Sequence, residues 1–236
     1  MLRAEISRAP ASLRLFLLFT LLVVAWLPAG VAAQSSGPMG ADAAGAGAVD
    51  DVYTERIREH TTEPFFLTPL VGTLPASDVV PSPLDHFGTI VGAPEVLHYP
   101  EEIYGYMRAV AAASDRVEVV SIGESEEGRE MILVIVADEE TLAELDTHRD
   151  ALARLADPRS TSAAEAARLM ETTRPIYYAT GAIHSTETGS PEMLMELVYR
   201  LAVDESEHVR SIRDNLIFMA TPVVEVDGRA KTVDLY

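Results

Sequence analysis

"PIYYATGAIHSTETGSPEMLMELVYRLAVD", residues 175–204, contains three pieces in a fixed order. The run Ile176 to Gly181 is apolar and aromatic enough for a buried strand. Ser190 suits a helix N-cap and Pro191 the first helical position. Leu194, Leu197, Val198 and Leu201 then recur at helical spacing and give that helix one apolar face. Between strand and helix lies a short polar loop with His184 three residues before Glu187.

Working outward, the same alternation continues on both sides. Upstream, "YPEEIYGYMRAVAAASD" opens with a proline and acidic residues, as a first helical turn prefers, and Ile103, Met107, Val110 and Ala111 share one face. The β-branched runs Val117 to Ile122 and Met131 to Ala137, joined by a polar Gly-containing turn, predict a hairpin. "EETLAELDTHRDALARLAD", "TSAAEAARLMETT" and "ESEHVRSIRDN" have helical patterns, and "NLIFMATPVVEVDG" reads as a second buried strand ending in a turn. Strands alternating with helices after an opening hairpin predict an α/β domain, a mixed β-sheet flanked by helices on both faces, over residues 98–236.

The N-terminal hundred residues are of another texture. Arg3, Arg8 and Arg14 precede an apolar core from Leu15 to Leu27 and a small-residue exit Val31-Ala32-Ala33. This is the form of a secretory signal peptide over residues 1–33, and it predicts an exported protein, periplasmic or extracellular, that meets the membrane only in transit. An uncleaved anchor is the alternative, although the apolar core is shorter than the ~20 residues of a spanning helix. Residues 34–50 are Gly/Ala/Ser-rich and read as a disordered linker. Residues 51–97 are Pro-punctuated, show no sustained period, and read as an irregular extension wrapped on the domain.

Composition narrows the chemistry. The chain carries 18 basic and 37 acidic residues, a formal net charge of −19. Removing the three Arg and one Glu of residues 1–33 leaves 15 and 36, or −21. That sign argues against nucleic acid as a partner. There is no cysteine, so neither a disulfide nor a thiol nucleophile is available.

The spacing H-x-x-E occurs three times, at His60/Glu63, His98/Glu101 and His184/Glu187, so spacing alone decides nothing. Context separates them. His60 and Glu63 lie in a charged segment with no strand before them, which favours a surface reading. His98 and Glu101 straddle Pro100 at a helix start, where the helix dipole explains the glutamate. His184 and Glu187 lie just past a strand's carboxyl end, where ligands bind in such sheets, and an imidazole and a carboxylate there can converge on zinc. The residues by themselves leave a metal pair and a plain polar loop both open. His208 reads as part of a solvated helix face, Arg229 as a solvated residue beside a turn, and Asp227 and Gly228 as turn formers. No His-based triad is arranged around Ser185 or Thr186.

Three ordered segments resemble the zinc metallocarboxypeptidases of the carboxypeptidase A-like group. "GAIHSTETGSPEM" is similar to the family's strand–H-x-x-E–helix segment; "SIGESEEGREMILVIVA" resembles its hairpin, with a G-x-S-x-E-G-R turn at Gly123, Ser125, Glu127, Gly128 and Arg129. "NLIFMATPVVEVDGR" resembles the strand ending in N-P-D-G, although here the turn reads Glu225-Val226-Asp227-Gly228. The resemblance implies a Zn2+ cofactor with His184 and Glu187 as its first two ligands, and removal of C-terminal residues from peptides or proteins. It also implies a third ligand (a histidine), substrate-binding arginines, a tyrosine and a general-base glutamate, all beyond Tyr236. The catalytic residues therefore have no counterpart within this sequence, and the chain as given is expected to be inactive. Two other readings stand beside it: a zinc deacylase or amidohydrolase of the aspartoacylase type, and a non-catalytic exported binding module.

Overall fold

The computed structural model describes residues 47–236. The expected signal peptide and most of the expected linker lie outside the described residues. In chain order the elements are α1 (Asp51–His60), a 3-10 turn (Pro64–Phe66), α2 (Pro83–Phe87), α3 (Pro100–Ala112), β1 (Val117–Glu124), β2 (Glu130–Val136), α4 (Glu139–Ala143), α5 (Leu145–Leu155), α6 (Ala163–Thr172), β3 (Ile176–Thr180), α7 (Gly189–Val203), α8 (Glu207–Asn215), β4 (Ile217–Thr221) and α9 (Val226–Leu235).

The strands form one sheet in the order β1-β2-β4-β3. β1 pairs antiparallel with β2, and β2 antiparallel with β4. β3 pairs parallel with β4 in the register Ile176↔Ile217 to Thr180↔Thr221. The sheet is therefore mixed, as expected, and the hairpin forms where the two β-branched runs placed it. A parallel pair needs a crossover, and α7 and α8 supply it.

Side-chain alternation along the strands builds two cores. On one face Ile132, Val134, Val136, Phe218 and Ala220 pack with α3 (Ile103, Met107, Val110) and α7 (Leu194, Met195, Val198). On the other, Ile135, Ala137 and Ile217 form a smaller cluster with Leu142 and Leu145. Helices thus cover both faces, and β4, in the sheet's interior, is buried along almost its whole length.

Three expectations are corrected. β3 is not a buried strand: Tyr177 is 64% and Tyr178 55% exposed, because β3 stands at the sheet's edge among the described residues. The end of the expected linker is structured, with Val49 bridging Pro75 and Asp50 capping α1 through the Tyr53 amide. The extension 51–97 contains α1, the 3-10 turn and α2, and its Tyr53 and Leu74 are wholly buried in the main core. Its irregular backbone is satisfied by donors from the domain: the Tyr199 hydroxyl donates to the Pro75 carbonyl at 2.9 Å and the Tyr106 hydroxyl to that of Pro81 at 3.2 Å. A segment held by single anchors has no apolar period to read.

Candidate metal site

The carboxyl ends of β3 and β4 lie side by side, and the chain leaves both in tight register. The Gly181 amide donates to the Thr221 carbonyl at 3.0 Å; the Val224 and Glu225 amides donate back to the carbonyls of Gly181 and Ala182 at 2.9 and 3.0 Å. Gly181 is glycine because a Cβ there would run into the Pro222 carbonyl oxygen and meet Leu194 Cδ1 at 3.0 Å. Ala182 is held at φ 45°, a left-handed conformation that disfavours a residue with a Cβ. The Ser190 hydroxyl helps hold it, accepting from the Ala182 amide at 2.9 Å. Ser190 is thus not the helix N-cap: α7 starts two residues earlier than expected, at Gly189 with Thr188 in the cap position, and the Ser190 hydroxyl faces back to the loop. Strain of this kind, roughly 1–3 kcal/mol, persists only where the surroundings over-determine it.

From this braced point the loop turns. The Glu187 amide donates to the His184 carbonyl at 3.0 Å, which brings His184 Nδ1 and Glu187 Oε1 to 2.8 Å. That hydrogen bond holds the Glu187 carboxyl below the usual carboxylate range. Both side chains face solvent, 74% exposed for His184 and 52% for Glu187. Donors on a tetrahedral zinc, with bonds of about 2.0–2.2 Å, stand about 3.4 Å apart. The pair fits such an ion by opening about half an ångström, which two exposed side chains do freely. Among the described residues no group of three His, Asp or Glu converges on one point, so no third ligand stands beside the pair.

The other two H-x-x-E spacings do not form pairs of this kind. His60 closes α1, while Glu63 precedes the 3-10 turn and is exposed. His98 and Glu101 are split: Glu101 faces solvent in the first turn of α3, whereas His98 is buried with Nδ1 2.7 Å from Glu192 Oε2. His208 is exposed on α8. A largely apolar cleft of about 1000 Å³ beside α7 and α8 has Thr186 and Thr188 on its lining but neither His184 nor Glu187.

Residues 225–229 join the three segments. Glu225 caps α9 by accepting from the Gly228 amide at 3.1 Å, so the expected turn is the first turn of a helix. Gly228 abuts the loop, since a Cβ on it would come within 2.7 Å of Ser185 Cβ. Asp227 receives the hairpin: it accepts from the Ser125 hydroxyl at 2.7 Å, Arg129 Nη1 at 3.0 Å and the Glu127 amide at 3.3 Å. The Ser125 bond, with that from Arg129, holds the Asp227 carboxyl below its ordinary value. Lys231 pairs with Glu127 beside it.

Arg229 is a correction. Instead of being solvated it is 0% exposed, its Nε and Nη2 donating to the His98 carbonyl at 3.1 and 2.9 Å and Nη2 also to Glu192 Oε1 at 2.8 Å. Burial pulls its pKa down and Glu192 pushes back. Sequence reasoning missed this cluster because a glutamate in a first helical turn is already explained by the helix dipole.

Among curated proteins, none matches this sequence. Solved structures do: a carboxypeptidase A from Helicoverpa armigera is 20% identical over 58% of this chain and 26% of its own, with a TM-score of 0.42. Thrombin activatable fibrinolysis inhibitor is 18% identical over 76% of this chain and 33% of its own, with a TM-score of 0.45. The chain thus spans about a quarter to a third of the length of these structures. The sequence profile described as zinc carboxypeptidase matches residues 103–234, more than half of the chain, from α3 through the H-x-x-E loop into α9. This chain belongs to the zinc carboxypeptidase family.

Proposed function

We propose that His184 and Glu187 are two of the protein ligands of a zinc ion in a metallocarboxypeptidase-like hydrolase that removes C-terminal residues from peptides or proteins. The observation that carries this reading is the convergence of His184 Nδ1 and Glu187 Oε1 at 2.8 Å on a loop fixed by two strand ends. Zinc supplies a Lewis acid that polarises a peptide carbonyl and raises the acidity of water. This chain's own residues supply two donors and the rigid frame behind them. The chain on its own is inactive in this reading, because among the described residues no group of three His, Asp or Glu completes a metal site around the pair. Export follows from the three arginines, apolar core and small-residue exit of residues 1–33. No helix among the described residues is long and apolar enough to cross a membrane.

The test is calorimetric. The chain is expected to bind one zinc ion, and both His184→Ala and Glu187→Ala are expected to abolish that binding. Equal affinity in the wild type and the His184→Ala chain would sink the assignment.

A further inference from the structure

A cluster that no step of the proposed chemistry uses lies directly behind the H-x-x-E loop. Arg229, Glu192 and His98 are all buried and form a closed network: Glu192 Oε1 accepts from Arg229 and from the His98 amide at 3.2 Å, and Glu192 Oε2 meets His98 Nδ1 at 2.7 Å. Burying a guanidinium and a carboxylate is a poor route to stability, because desolvation offsets their attraction. What the network does provide is geometry. Arg229 Nη1 also donates to the carbonyl of Thr188 at 3.4 Å, the residue next to Glu187. Gly228, the residue before Arg229, packs on Ser185 next to His184. Glu192 lies in the first turn of α7, the helix the loop runs into.

We infer that Arg229 is a positioning residue for the candidate metal pair: anchored by Glu192 and the His98 carbonyl, it fixes the loop 184–188 from behind while Gly228 fixes its other flank. The inference rests on the reading of His184 and Glu187 as ligands, and its planar five-donor fork is what lysine cannot reproduce. Groups that orient metal ligands typically change affinity by about 10–100-fold when replaced.

The test compares Arg229→Lys and Arg229→Met with the wild-type chain by amide hydrogen exchange and by zinc competition against a chelator. In Arg229→Lys, which keeps the charge opposite Glu192, exchange is expected to quicken in residues 182–190 while strands β1 and β2 keep their protection. Zinc affinity falls by about 10–100-fold. Arg229→Met shows the same local loosening or a larger one. Unchanged loop exchange in both variants overturns the proposal. So does equal loosening of the loop and the hairpin, or failure of both variants to fold, since each assigns Arg229 a purely structural role. His184→Ala serves as the separate control: it is expected to lose zinc with loop protection intact, and if it keeps zinc the metal reading fails independently of what the exchange data say of Arg229.

Discussion

Glu192→Leu is expected to destabilise the chain by about 3–5 kcal/mol, the loss seen when one partner of a buried pair is removed and the other stays charged. At this size that is a fall in melting temperature of roughly 6–20 °C. The reason lies in what the leucine leaves behind. Arg229 is wholly buried and retains only carbonyl acceptors, and the His98 imidazole loses its partner. The double variant Glu192→Leu/Arg229→Met removes both charges and is expected to recover most of that loss, because an apolar replacement of a whole buried pair is often neutral or better. Urea denaturation checks both. A single-variant loss below about 1 kcal/mol, the range of an exposed pair, would show that this cluster is not the desolvated unit described here.

Gly181→Ala is expected to be the most damaging small substitution at the site. Its new methyl meets the Pro222 carbonyl oxygen and, at 3.2 Å, the Pro191 backbone nitrogen, neither of which can swing aside as a side chain could. The ends of β3 and β4 must part, which strains the Val224-to-Gly181 and Glu225-to-Ala182 hydrogen bonds that hold the loop. Overpacking of this kind typically costs about 1–3 kcal/mol, occasionally more. Gly189→Ala is the matched control, since nothing lies within 4 Å of its would-be Cβ. It is expected to be neutral or to gain about 0.4–1 kcal/mol through the unfolded state. Equal melting temperatures for the two variants would refute the close approach of the strand ends.

The parts of the fold legible in the sequence are those specified locally. The hairpin reads from two β-branched runs and a turn, α3 from a proline, two acidic residues and Ile103, Met107 and Val110 on one face. The loop carrying His184 and Glu187 reads from a strand before it and a helix after it. What stayed hidden depends on distant residues. Arg229 reaches back 131 residues to His98 and 37 to Glu192, and nothing near it in sequence distinguishes it from a solvated arginine. "IYYAT" carries no alternation, so a strand at the sheet's edge reads the same as one covered on both faces. α1 is charged along much of its length and buries only Tyr53 and Thr54, so it carries too few apolar residues for a helical period to be read. Asp227 likewise reads as a turn former, although it ties the hairpin turn to the first turn of α9.

The central claim is that His184, of the histidines at the three H-x-x-E spacings, is the one that meets metal. Histidine-selective 15N NMR during a zinc titration tests it most directly, because each imidazole nitrogen reports its own state. The account predicts that the His184 ring nitrogens shift on zinc addition while those of His60, His98 and His208 stay in place, and that Glu187→Ala suppresses the change. A zinc-dependent shift at His60 or His208 with His184 unmoved would contradict it.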